Sequence, residues 1–166
     1  MKTIHVVAVV IEAVDEQGKE ILKTQRQRIH NPDRLRQFDF ISRAMTADTL
    51  KLDSLFQSLL QAENRRIEPW AATTLSYLNH STRKDYAVKY IRPALEELTE
   101  VQRTGDIFFP RNWVGALLRN HDSEATYKAV ETFLSVYPDY SPLLKNKILQ
   151  AAYPLYRKYA DKEKIS

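Results

Sequence analysis

The chain contains no cysteine. That excludes a disulfide framework, a thiolate nucleophile, Cys-ligated zinc and iron–sulfur clusters in one step. Glycine is nearly as scarce, with Gly18, Gly105 and Gly115 the only three. Neither a dinucleotide nor a Walker phosphate loop can be built from them, because each needs several closely spaced glycines to bring backbone amides onto a phosphate. No apolar run approaches the about 18 to 20 residues of a membrane-spanning helix, so no membrane partner is expected. Met1 to Ile11 is too short an apolar stretch for a secretory leader and no small-residue cleavage site follows it; as written, the chain is expected to be cytoplasmic. An H-E-x-x-H motif is also missing, and His5, His30, His80 and His121 lie out of helical or hairpin reach of one another. No metal site is expected within the chain. His30, His80 and His121 each precede a helix start and read as polar residues of connections.

What is present suits a globular domain: 166 residues, 43% apolar and 28% charged, enough to bury a core of its own. Lys and Arg number 25 against 21 Asp and Glu, and 25 − 21 gives a net charge of +4. Such a surface favours an acidic partner without requiring one.

The hydrophobic pattern changes near residue 30. Ile4 to Ile11 is dense in β-branched residues, Asp15-Glu16-Gln17-Gly18 carries turn chemistry, and Glu20 to Gln25 resumes a short mixed run. This reads as a β-hairpin over residues 1–28 whose edge is open to self-association. Residues 29–166 carry helical spacing. Asn31-Pro32-Asp33 opens a helix striped by Leu35, Phe38, Ile41 and Met45, and a second runs from about Asp48 through Leu52, Leu55, Phe56, Leu59 and Leu60. Pro69 starts a third over Trp70 or Ala71, Thr74, Leu75 and Leu78. A Thr82–Asp85 capping box opens a fourth that runs to Gly105, with Pro93 as a kink. Further helices open at Pro110, at Asp122 or Ser123, and at Ser141-Pro142, the last kinked at Pro154. The expected fold is mainly α: an irregular, HEAT-like superhelical stack of antiparallel helices behind an N-terminal β-hairpin.

Catalytic constellations are missing. No G-x-S-x-G elbow occurs, and Glu96-Glu97 reads as solvent-facing charge. Arg26, Arg28, Arg34, Arg36 and Arg43 gather positive charge near the hairpin–helix junction, but Asp33 and Asp39 interrupt them and no stacking aromatics alternate with them. Nucleic-acid binding is therefore disfavoured. Trp70, Trp113 and the tyrosines read as packing residues. In Arg103-Thr104-Gly105-Asp106-Ile107-Phe108-Phe109-Pro110 two phenylalanines occupy a loop, either facing a neighbouring domain or turned inward to anchor the connection.

The segments NPDRLRQFDFISRAM, AENRRIEPWAATTLSYLNH, KYIRPALEELTEVQRTGDIFFPRNW and KNKILQAAYPLYR together resemble the C-terminal helical domain of zinc aminopeptidases of the aminopeptidase N family, from about Asn31 to Arg157. The resemblance implies a stack of antiparallel helices that walls the peptide channel and packs on a catalytic domain. That domain and the peptide substrate would be the partners, with zinc held by the parent enzyme. The family's H-E-x-x-H and Gly-Ala-Met-Glu-Asn motifs have no counterpart here, so no catalytic residue carries over and the chain is expected to be a non-catalytic fragment. Arg103, Asp106, Phe108, Phe109, Arg111 and Trp113 are the candidate substrate or domain contacts, with self-association through the same surface as the alternative to a partner domain. MKTIHVVAVVI and EILKTQRQ are similar to the opening strands of Nudix hydrolases. That family's signature is missing: six residues after Gly18, Gly105 and Gly115 stand Thr24, Arg111 and His121 in place of the required Glu. A degenerate Nudix-like hydrolase and a basic nucleic-acid-binding module remain the alternatives.

Overall fold

The computed structural model of the protein describes residues 16–160. Among them are nine α-helices and no strand: α1 Glu16–Gln27, α2 Pro32–Ile41, α3 Thr49–Leu59, α4 Glu68–Leu78, α5 Lys84–Glu96, α6 Leu98–Thr104, α7 Phe109–Leu118, α8 Glu124–Val136 and α9 Pro142–Tyr159. The protein is mainly α. The expected first strand, Ile4 to Ile11, lies outside the described residues. The expected second strand, Glu20 to Gln25, is helical and belongs to α1. The reason is local: EQGKEILKTQRQ is rich in helix-favouring Glu, Lys, Gln and Leu, and Ile21 and Leu22 form one apolar turn that packs on Ile41 and Met45. The turn expected at residues 15–18 likewise falls, from Glu16 onward, in the first turn of α1.

The chain divides after Leu78 into two compact units. In the first, α2 starts where Asn31 Oδ1 accepts the amides of Asp33 and Arg34, both at 3.0 Å, with Pro32 at the first helical position. Asp48 does the same for α3 through Leu50 and Lys51. At the other end of α3 the buried Arg65 donates from Nη1 to the carbonyls of Leu59 and Leu60 at 2.9 and 2.8 Å, placing a cation on the negative end of the helix. Leu52, Leu55, Phe56 and Leu59 of α3 and Ala71, Leu75 and Leu78 of α4 are buried as these two helices pack. Phe40 and Trp70 meet at a ring separation of 5.8 Å beside Ile41 and Met45.

The second unit has a direction that its polar contacts define. Lys84 pairs with Asp122 ahead of α8, while Tyr137 after α8 donates to Glu96 at the end of α5, so α5 and α8 run parallel. Lys158 and Tyr159 both donate to the Asp122 carbonyl at 2.8 Å, so α9 runs antiparallel to α8. Trp113 donates to the Ala94 carbonyl, and His121 after α7 meets Asn79 ahead of α5, so α7 runs antiparallel to α5. Two antiparallel hairpins result, α5/α7 and α8/α9, with α5 packed on α8 and α7 on α9. Ile91, Leu95, Trp113, Leu117, Val130, Phe133, Leu144 and Ile148 close the core between them, each at most 1% exposed. Each such side chain contributes about 1.5 to 3 kcal/mol by leaving water.

Two local expectations are corrected here. The cap ahead of α5 is His80, whose Nδ1 accepts from Thr82 N–H at 3.4 Å and faces the Thr82 hydroxyl at 3.0 Å; the Thr82–Asp85 box does not form, since a single 3-10 turn over Ser81–Arg83 precedes the helix. The expected helix from Thr82 to Gly105 is two helices parted at Glu97, one turn beyond Pro93. Pro93 has no N–H to bond the Lys89 carbonyl, which weakens the ladder there. α9, by contrast, runs unbroken through Pro154.

Candidate functional site

Both connections of α7 hold the groups of interest. Ahead of it, Asp106 Oδ1 accepts the amides of Phe108 and Phe109 at 2.7 and 2.8 Å, so this carboxylate is the working cap of the helix. The cap fixes the phase of the two phenylalanines. Phe109 turns inward at 1% exposure and meets Trp113 edge to face at 5.9 Å, and Trp113 is fully buried with Nε1 donating to Ala94 O at 3.0 Å. Ile107 and Phe108 turn outward, at 80% and 67% exposure. Neither of the two arrangements expected for Phe108 and Phe109 is realised as a pair: one side chain anchors and the other projects.

Of the six candidate contacts, then, Phe109 and Trp113 are core residues and Asp106 is a cap. Arg103 is held by Glu100 through two hydrogen bonds of 2.7 and 2.5 Å, which also raise its already high pKa. Phe108 and Arg111 face solvent. A projecting apolar knuckle beside a solvent-facing cation can dock on another surface.

Beyond α7, His121 lies in the connection ahead of α8, as expected, but is buried there at 5% exposure. Its Nε2 donates to Asn79 Oδ1 at 2.9 Å and its Nδ1 accepts from the Thr126 hydroxyl at 3.0 Å. Thr126 Oγ1 in turn lies 3.1 Å from Ser123 Oγ, which caps α8 by accepting Thr126 N–H at 3.3 Å. Burial holds the imidazole neutral, with its pKa lowered to about 4; Asp122 and Asp85 pull it upward and Lys84 opposes them. Hydroxyl, imidazole and amide in sequence are the ingredients of a nucleophile relay. The order here forbids that use: the hydroxyl on the imidazole belongs to the fully buried Thr126, and the more exposed Ser123 sits one group further away. The network holds the α7–α8 connection. Nothing in the sequence flagged it, because Asn79 lies 42 positions from His121.

The remaining candidates disperse. Arg26 is bound to Asp39 through two hydrogen bonds of 2.8 and 2.9 Å and Arg36 to Asp33, so the basic run near the junction is partly neutralised by the acids that interrupt it. His30 is exposed. Among the described residues no group of His, Asp and Glu could hold a metal ion, and no helix is long and apolar enough to cross a membrane. No family model, curated protein or solved structure matches the chain.

Proposed function

We propose that residues 31–157 are the non-catalytic C-terminal helical domain of an aminopeptidase-N-like zinc metallopeptidase, walling its peptide channel and packing on its catalytic domain. In this reading the zinc belongs to the parent enzyme. The observation that carries it is the Ile107–Phe108 knuckle: the stretch with the most specific resemblance, KYIRPALEELTEVQRTGDIFFPRNW, is also the one that projects two large apolar side chains into solvent between Arg103 and Arg111. Exposed apolar side chains held out by a cap suit an interface with a neighbouring domain. The α5/α7 and α8/α9 hairpins, stacked like on like, support the finer reading of an irregular HEAT-like stack.

The test mixes the chain with the catalytic portion of an aminopeptidase-N-type enzyme that lacks its own C-terminal domain. A complex that survives gel filtration and is lost with Phe108→Ser is the expected result. The chain alone is expected to hold no stoichiometric zinc and to leave aminoacyl chromogenic substrates intact; zinc-dependent release of N-terminal residues by the chain alone would sink the proposal.

A further inference from the structure

The core face of α9 is formed by Leu144, Ile148, Ala152 and Leu155. Opposite it, Leu143, Asn146, Gln150, Tyr153 and Arg157 recur at helical spacing along one outward stripe, with Leu143 56% and Tyr153 59% exposed and the other three exposed as well. Asn146, Leu149, Gln150 and Tyr153 line a shallow depression of about 470 Å³ on this face. Two features of the stripe point to one kind of occupant.

The first is spacing. Asn146 and Gln150 stand four residues apart, so their side-chain amides repeat about every 6 Å along the helix, close to the about 6.8 Å that two residues of extended chain cover. Each primary amide offers both donors and an acceptor, so the pair can bond alternate peptide groups of a strand laid along α9. The second is charge. From Pro142 to Tyr159 the helix carries Lys145, Lys147, Arg157 and Lys158 and no carboxylate, and Arg157 closes the stripe with a planar fork suited to a carboxylate.

We propose that the outward stripe of α9 docks an extended, acidic polypeptide segment, with the Asn146 and Gln150 amides bonding its backbone, Leu149 and Tyr153 covering its apolar side chains, and Arg157 pairing with its carboxylates. This goes beyond the parentage proposed above and does not depend on it, since it uses none of the residues around Phe108.

The experiment is fluorescence anisotropy of the full chain with a short fluorescein-labelled peptide of alternating Ala and Glu. Saturable binding is expected, weakened about ten-fold by the double change Asn146→Ala and Gln150→Ala through loss of hydrogen bonds, and weakened and made less salt-sensitive by Arg157→Gln. The same peptide N-methylated at alternate amides is expected to bind about ten-fold more weakly to the unaltered chain, an arm that requires no variant to fold. Absence of binding, equal binding of the N-methylated peptide, equal binding of an alternating Ala and Lys peptide, or insensitivity to the double change would each overturn the proposal. So would a concentration-dependent dimer that Tyr153→Ala abolishes, which would give this face to a second copy of the chain.

Discussion

Helix α7 ends in two short connections that treat polarity in opposite ways. Ahead of it Ile107 and Phe108 stand in water; beyond it a histidine is sealed in the core at 5% exposure. Hydrophobicity alone would have exchanged them. The difference lies in hydrogen bonding. Asp106 ties down two successive amides and so sets the rotation at which α7 begins, which sends Phe109 to the core face and leaves Phe108 outside. His121 can be buried because both ring nitrogens find partners, so no polar atom of the ring is desolvated without compensation. Where a side chain ends up is decided by the phase of its backbone and the partners of its polar atoms, and only then by its transfer free energy.

Emptying the core site that seats the first of these connections would break this comparison outright. Trp113 is fully buried, donates to Ala94 and meets Phe109 edge to face. Trp113→Ala is expected to cost about 3 to 5 kcal/mol in urea denaturation, the usual result of emptying an aromatic core site. A cost below about 1 kcal/mol would show that the core face of α7 is not seated as described.

The histidine sharpens the comparison through pH. Its folded pKa of about 4 lies below the ordinary 6.5, so the unfolded chain takes up the proton first. The stabilisation is complete above pH 6.5 and is lost as the pH falls toward about 4, where it has cost about 3 kcal/mol. His121→Leu removes this dependence while leaving Asn79 and Thr126 without their ring partner. Urea midpoints of the two proteins are therefore expected to converge as the pH is lowered from 7 to about 4. A gap between them that stays constant over that range would mean that His121 does not titrate as a buried neutral ring.

Much of the helical fold was legible in the residues, and what was missed has particular causes. Asn31, Asp48 and Ser123 announced their helices because a cap is a local device, read within three residues. The stripes of α3 and α4 were legible because an apolar residue every three or four positions has one simple explanation. α1 was misread as a strand since its apolar content is a single Ile21-Leu22 turn, too short to carry a period. The site was harder. Ile107, Phe108 and Phe109 could be singled out as unusual in a loop, yet which of them faces inward depends on the one carboxylate that caps them. The His121–Asn79 bond joins residues 42 positions apart, which no local pattern reports. The polar stripe of α9 carries no such signal, because solvent exposure is the ordinary explanation of polar residues opposite an apolar face.

Asp106 itself supplies a smaller effect. Asp106→Ala leaves the amides of Phe108 and Phe109 to water and is expected to cost about 1 kcal/mol, the ordinary value of a lost helix cap. The informative variant is Asp106→Asn, which keeps an acceptor oxygen. Thermal stability is expected to recover most of the loss in that protein, and failure to recover would assign the effect to the charge rather than to the geometry of the cap.

The smallest expected effect is the most discriminating, because it concerns neighbours in one turn. Phe108→Ser removes a ring that is 67% exposed, and a surface change of that kind usually moves stability by no more than about 0.5 kcal/mol. Phe109→Ser removes a ring that is 1% exposed and puts a hydroxyl in its place, with a cost of about 3 kcal/mol or more. The two proteins differ only in which of two consecutive phenylalanines is replaced, so composition, charge and chain length cancel between them. Measured side by side in urea, a large gap supports the phase that Asp106 sets. Equal losses would mean that both rings anchor the connection, and two negligible losses that neither does; in each case the knuckle would no longer be available to a partner as described.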